Sequence, residues 1–148
     1  MTKEVLISIS GLQLEIDEQE AVEVISVGDY YKKNEKHYLR YEDLAMDCED
    51  LGINNVNKNT IKISDTQVDI MKKGASNTHM IFEKNKKNVT YYSTPFGELL
   101  IGIYTTKLDI TETEEELLVK LKYALDVNAS HVSDCDITIR VSSRGREE

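Results

Sequence analysis

The chain has 148 residues, a formal net charge of −9, 40% hydrophobic and 30% charged residues, no tryptophan and one proline. These values fit a single folded domain, residues 1–148, with enough chain to build a real core, and they argue against disorder. Its lysine-rich spots (Lys32-Lys33, Lys72-Lys73, Lys84 to Lys87) fall in expected turns rather than in a stripe, so no nucleic-acid partner is expected.

The first strand reads from Glu4 to Leu14, with Val5, Ile7, Ile9 and Gly11 on one face. The second, Glu20 to Tyr30, changes phase: Val22 and Val24 share one face, Ile25 and Val27 the other, which predicts a β-bulge. Lys32 to Glu35 makes a hairpin turn into a third strand, Lys36 to Leu44, where His37, Leu39 and Tyr41 point the same way. Met46 to Asn59 is polar, rich in Asp, Asn and Gly, and reads as the one long irregular stretch, suited to covering a barrel end or carrying a site.

From Thr60 the rhythm quickens. Thr60-Ile-Lys-Ile-Ser, Val68-Asp-Ile, Met80-Ile-Phe, Val89-Thr-Tyr-Tyr and Leu99 to Tyr104 are strand-length, and turn formers separate them. One of those turns is Thr94-Pro-Phe-Gly97, where proline presets φ and glycine tolerates a left-handed backbone. Thr111 to Glu116 resembles a helix-capping box, yet Leu117, Val119, Leu121, Tyr123 and Leu125 alternate. A helix would place Val119 and Tyr123 on its polar side, so a strand is the better reading. A last strand, Val132 to Ser142, carries Cys135, Ile137, Ile139 and Val141. The whole predicts an all-β fold: one antiparallel barrel of 8–10 strands, mostly an up-and-down meander, with Gly11, Gly28 and Gly102 as bends.

Tyr38-Leu-Arg-Tyr-Glu42, Thr60-Ile-Lys-Ile63, Val68-Asp-Ile70, Gly74, Met80-Ile-Phe82 and Tyr92-Ser-Thr-Pro-Phe-Gly97 together resemble the YwiB-like family of small bacterial proteins. That resemblance implies a calycin-like, lipocalin-type barrel of unassigned function, with residues 117 to 126 in a strand, and it supplies no catalytic residues. Lys73 stands where an arginine would be expected before the glycine.

No segment reaches the ~18 apolar residues of a membrane helix, and the N-terminal stretch lacks the apolar block of a signal peptide. A cytoplasmic protein without a membrane partner is expected, with Cys48 and Cys135 as thiols, Cys135 in the core. The three histidines (His37, His79, His131) lie on separate strands at the surface or half-buried, with no partner at ligand spacing, so no metal and no cofactor is expected. Asp47, Glu49 and Asp50 lack the spacing of a calcium loop. No nucleophile motif or phosphate loop is present; His131 and Asp134 want a serine or cysteine, and Glu42 beside Arg40 reads as an ion pair. No enzyme is indicated.

The tyrosines are the constellation that remains. If Leu39, Val89, Leu100 and Leu121 face inward, so do Tyr41, Tyr91, Tyr104 and Tyr123, whose hydroxyls then need partners among themselves, water or a ligand. With Gly102 removing volume, they predict a pocket for a small, partly apolar molecule, open at one end. The alternative is an interaction module: Leu99-Leu-Ile-Gly-Ile103 is apolar on both faces, which suggests an outer sheet face buried in a homodimer or against another partner.

Overall fold

The computed structural model describes residues 3–11, 23–44, 56–74, 77–94 and 97–143. Among them the alternation of apolar and polar side chains becomes ten strands and no helix. These are β1 (Glu4–Ser10), β2 (Glu23–Lys33), β3 (Lys36–Leu44), β4 (Val56–Ile63), β5 (Gln67–Lys73), β6 (Thr78–Glu83), β7 (Lys87–Thr94), β8 (Gly97–Glu112), β9 (Glu116–Val127) and β10 (Ser130–Ser143). All paired neighbours are antiparallel, in the order β6-β5-β4-β3-β2-β1-β10-β9-β8-β7. The sheet curls until its two ends meet, β6 coming against β7 and β8, and the turn after β6 is held from both sides: the Lys84 N–H donates to the Thr66 carbonyl at 3.2 Å and the Asn85 N–H to the Thr105 carbonyl at 2.7 Å. No ladder joins β6 to β7 among the described residues, so the barrel is nearly closed, with one seam.

Period-two alternation sends one set of residues inward from every strand. Ile7 and Ile9 of β1, Leu39 of β3, Ile61 and Ile63 of β4, Phe82 of β6, Leu121 of β9 and Ile139 of β10 are sealed from solvent. The charged residues point out. An apolar inside and polar outside is the reverse of a membrane-spanning barrel, whose apolar band faces lipid. No helix among the described residues is long and apolar enough to cross a membrane.

Local chemistry accounts for the turns. Asn34 and Glu35, with φ of 54° and 65°, form the two-residue hairpin loop between the paired Lys33 and Lys36, and both central residues of the turn that suits strand twist need positive φ. Thr94 pairs with Gly97, whose φ of 121° is glycine territory; Pro95 and Phe96, the centre of the predicted turn, lie outside the described residues. At the ambiguous acidic run, Thr113 Oγ1 accepts from the N–H groups of Glu115 and Glu116 at 3.3 and 3.1 Å, as a helix cap would. The Thr113 N–H, however, donates to the Glu116 carbonyl at 2.8 Å, which closes a turn and returns the chain as β9. The expected strand therefore forms.

Three expectations need correction. β1 and β2 pair without a break from Glu23 to Asp29, so there is no bulge; Ile25 and Val27 simply lie on the outer face, Val27 opposite Leu6. The register shifts occur elsewhere, at Thr105/Lys107 and His131/Ser133. The first of them lets Leu108 turn inward after Thr105 and leaves Lys107 outside. The irregular stretch is shorter than expected, because Val56 to Asn59 already belong to β4, with Asn57 and Asn59 buried on the inner face; Met46 and the acidic trio after it lie outside the described residues. Finally, Gly102 does not open the interior. A Cβ there would strike Lys87 Cε at 2.8 Å, on the outer face beneath the Lys87–Asp126 ion pair.

Candidate functional site

The four tyrosines divide. Tyr41 and Tyr123 are buried on the inner face, but Tyr91 (66% exposed) and Tyr104 (41%) stand outside. The expectation placed Leu100 inward, whereas Ile101, Ile103 and Thr105 hold that phase and carry Leu100 and Tyr104 outward with Val89 and Tyr91. Nor do Tyr41 and Tyr123 line one pocket. The Tyr123 ring packs edge-on against Phe82, centroids 5.0 Å apart, and lies against Cys135; burial drives its phenol well above the ordinary range. Cys135 is a buried thiol as expected, with Ser133 Oγ 3.3 Å from its sulfur; Cys48 lies outside the described residues.

Of these two buried tyrosines, Tyr41 borders a cleft. The strands there part for a reason visible in the register. β2 and β3 pair only from Asp29–Arg40 to Lys33–Lys36. Beyond that point β2 stays with β1, from Gly28 back to Glu23, and β3 stays with β4, from Tyr41 to Leu44. Gly28 sits at the apex, where a Cβ would meet the Arg40 carbonyl oxygen at 2.5 Å. The result is an open cleft of about 650 Å³ that borders both the Tyr41–Asn59 edge and the outer residues of β1 to β5. The Asn59 amide donates to the Tyr41 carbonyl at 3.5 Å. Thr60 and Met71, cross-strand partners, line the β4–β5 side.

Sequence reasoning missed most of this lining. Arg40 and Glu42 do not pair with each other; the Arg40 guanidinium lies 5.9 Å over the Tyr31 ring, which stacks on Tyr38 at 4.8 Å. Lys58 was hidden in the presumed irregular stretch and Lys73 in a presumed turn, although both extend strands. Continuing the alternation of Thr60-Ile61-Lys62-Ile63 backwards would have found Lys58.

A second polar cluster lies across one barrel end. The Tyr30 hydroxyl and His37 Nδ1 are 2.8 Å apart, and His37 Nε2 lies 3.7 Å from Glu112, which also holds Lys32 at 3.1 Å. His37 is buried, not half-buried, and burial lowers its pKa, with Glu112 and Asp65 opposing and Lys32 adding to the fall. Burial, then Glu112, raises that of Tyr30. The cluster is sealed from solvent at Tyr30 and His37, so it serves the fold. The sign follows: the unfolded chain protonates this histidine near pH ~6.5 and the folded chain only lower, so the contribution is intact above ~6.5 and lost as the pH falls below it. Urea midpoints should drop more steeply between pH 8 and 5 in the native protein than in His37→Gln. Parallel slopes would refute the assignment.

Among the described residues no group of histidine, cysteine and carboxylates could hold a metal. His79 lies 3.5 Å from Asp69, and His131 pairs with Asp134 at 3.0 Å in the open.

A family model described as a domain of unknown function, DUF1934, matches residues 7–139. The chain belongs to the DUF1934 family. It is 29% identical over 122 residues to a protein described as the uncharacterised β-barrel protein YwiB of Bacillus subtilis (strain 168), covering 81% of each chain. The crystal structure of the B. subtilis ywiB protein superposes with a TM-score of 0.74 at 24% identity, over 96% of this chain and 92% of that one. The barrel is thereby a fold that this chain shares with that protein, as the sequence resemblance implied.

Proposed function

We propose that this chain is a non-enzymatic, cytoplasmic binding protein with a calycin-like barrel, and that its small-molecule site is the cleft at Tyr41. The observation that carries this reading is the parting of β2 and β3, which opens about 650 Å³ beside the buried core. Concave sites of that size with a few converging polar groups are where small molecules bind. The up-and-down strand order supports the calycin-like comparison. Screening a chemically mixed fragment library by amide NMR should give hits that shift Gly28, Arg40, Tyr41 and Lys58. Met71→Trp, which fills the cleft from its outer wall, should abolish them without unfolding the protein. Hits that map elsewhere, or no hits, would overturn the reading.

A second reading, an interface between two copies, rests on the outer face of β7 and β8, where Val89 (55% exposed), Tyr91 and Tyr104 stand together. A two-fold dimer would bury this patch against its twin. Sedimentation at high micromolar concentration should then find a dimer that Tyr91→Ser weakens; a monomer would retire this reading.

A further inference from the structure

The cleft opens between two strand edges, and the register fixes which backbone groups face it. In an antiparallel sheet, consecutive residues turn their N–H and C=O alternately to one neighbour and to the other. The Tyr30 N–H donates to the Lys3 carbonyl at 2.7 Å, on the β1 side. Gly28 and Ser26 therefore also turn to β1, where they face Val5 and Ile7, and Asp29, Val27 and Ile25 turn the other way. Asp29 meets Arg40, the last pair of the β2–β3 ladder. Val27 and Ile25 lie beyond it, and among the described residues no strand meets their N–H and C=O groups. The same alternation brings Glu42 and Leu44 of β3 to the opposite rim.

The two rims differ. Open strand edges in folded proteins are ordinarily guarded by charge, proline or a bulge, because a bare edge is a template for another strand. The β3 rim carries Glu42 and Asp43. The β2 rim reads Val24-Ile-Ser-Val-Gly28, without charge or proline, and its pairing to β1 is unbroken. Ile25 and Val27 stand exposed on its outer side, with Leu6 exposed beside Val27. Towards the interior the opening reaches Tyr41 and Asn59. The complement of such an edge is a run of N–H and C=O groups at strand spacing, flanked by apolar side chains.

Resting on the cleft as the binding site, we propose that it takes an extended peptide, which adds to the open edge of β2 as a further strand. Main-chain bonds to Val27 and Ile25 hold it, the mode by which exposed sheet edges capture peptides. Its side chains fall alternately on two sides. Those turned outward lie beside Ile25 and Val27, where β-branched and aromatic residues pack well across a strand pair; those turned inward meet Tyr41. The partner is therefore recognised by its backbone and by β-branched residues at every second position.

The test is amide NMR and hydrogen exchange on the full chain, with the blocked peptide acetyl-Thr-Val-Thr-Val-Thr-amide as probe. In the chain alone the Ile25 and Val27 amides should exchange freely, while Ser26 and Gly28, bonded to β1, stay protected. The probe should shift the β2 rim and slow exchange at Ile25 and Val27 at least tenfold. Two N-methylated probes, one methylated at the valines and one at the threonines, keep every side chain and block one backbone edge each. One of them should lose binding at least tenfold and the other keep it, since a strand pairs with β2 through a single edge. Val27→Pro removes a donor that β1 does not use and should weaken the probe at least tenfold, with Ser26 and Gly28 still protected. Equal binding of the two methylated probes, undiminished binding by Val27→Pro, or shifts away from β2 would overturn the proposal. So would protection of Ile25 and Val27 that rises with protein concentration before any probe is added, which would make a second copy the occupant. If the peptide leaves Ile25 and Val27 unprotected while small fragments shift Tyr41 and Lys58, strand addition fails and the site stands. If nothing occupies the cleft, both fail.

Discussion

Replacing Phe82 with alanine should cost about 3–5 kcal/mol of folding free energy, the range for removing a buried aromatic ring. Phe82 is fully buried and its ring meets the edge of Tyr123 from across the barrel. It also stands on β6, a terminal strand of the sheet that is paired on one side only, to β5. The ring is therefore what fastens that end of the sheet over the interior, and its loss leaves a cavity that the strand cannot close without giving up its pairing. Denaturant unfolding should show the drop, and amide exchange should accelerate in β6 before β10. A loss below about 1 kcal/mol would mean that the seam relaxes to fill the space, a much softer barrel than one sealed to this degree.

Gly28→Ala should cost about 1–3 kcal/mol, as overpacking a tight site does. The added methyl would lie 2.5 Å from the Arg40 carbonyl oxygen, 2.7 Å from Ile7 Cδ1 and 3.1 Å from Tyr41 Cβ. The Ile7 side chain can give way; the carbonyl can move only with β3, which is laddered to β4. Relief must come from widening the angle between β2 and β3, so the variant should both melt lower and change ligand contacts at Tyr41. Unchanged urea midpoints would show that β2 slides freely at the apex, and the cleft would then have no fixed shape.

Much of this fold was written in local alternation. Val5, Ile7 and Ile9, or Leu117, Val119, Leu121 and Tyr123, announce a strand with one buried face because every second residue is apolar and those between, Leu6 and Leu118 apart, are polar. That same signal fails where both faces are apolar. Leu99 to Ile103 gives a strand but no phase, and the wrong choice carried Tyr104 into the core; for the same reason Val89 and Tyr91 were turned inward. Ile25 and Val27 misled in a related way, since exposed apolar residues on an outer face imitate a slip of register. Of the four tyrosines proposed as a site, Tyr41 alone reaches the cleft. The cleft itself has no local signature. It arises because two neighbouring strands follow different partners, β2 keeping to β1 and β3 to β4, which no spacing along the chain encodes.

The strand order has a consequence for how the barrel is reached. Every ladder but one joins strands consecutive in the chain; the exception is β1 with β10. The one consecutive pair that is not laddered is β6 and β7. The molecule is therefore a ring of hairpins whose covalent break and whose hydrogen-bonding break fall at different places. Closing β1 on β10 brings Val5 to Ser143, the longest loop closure available, and it must be made before the central ladder returns any energy. A circular permutant that links these two neighbours and is cut in the turn after Glu83 would keep the native contacts while making every ladder sequential. It should fold faster than the parent, since rate follows the sequence separation of contacts, and the difference would measure what it costs this barrel to find its own ends.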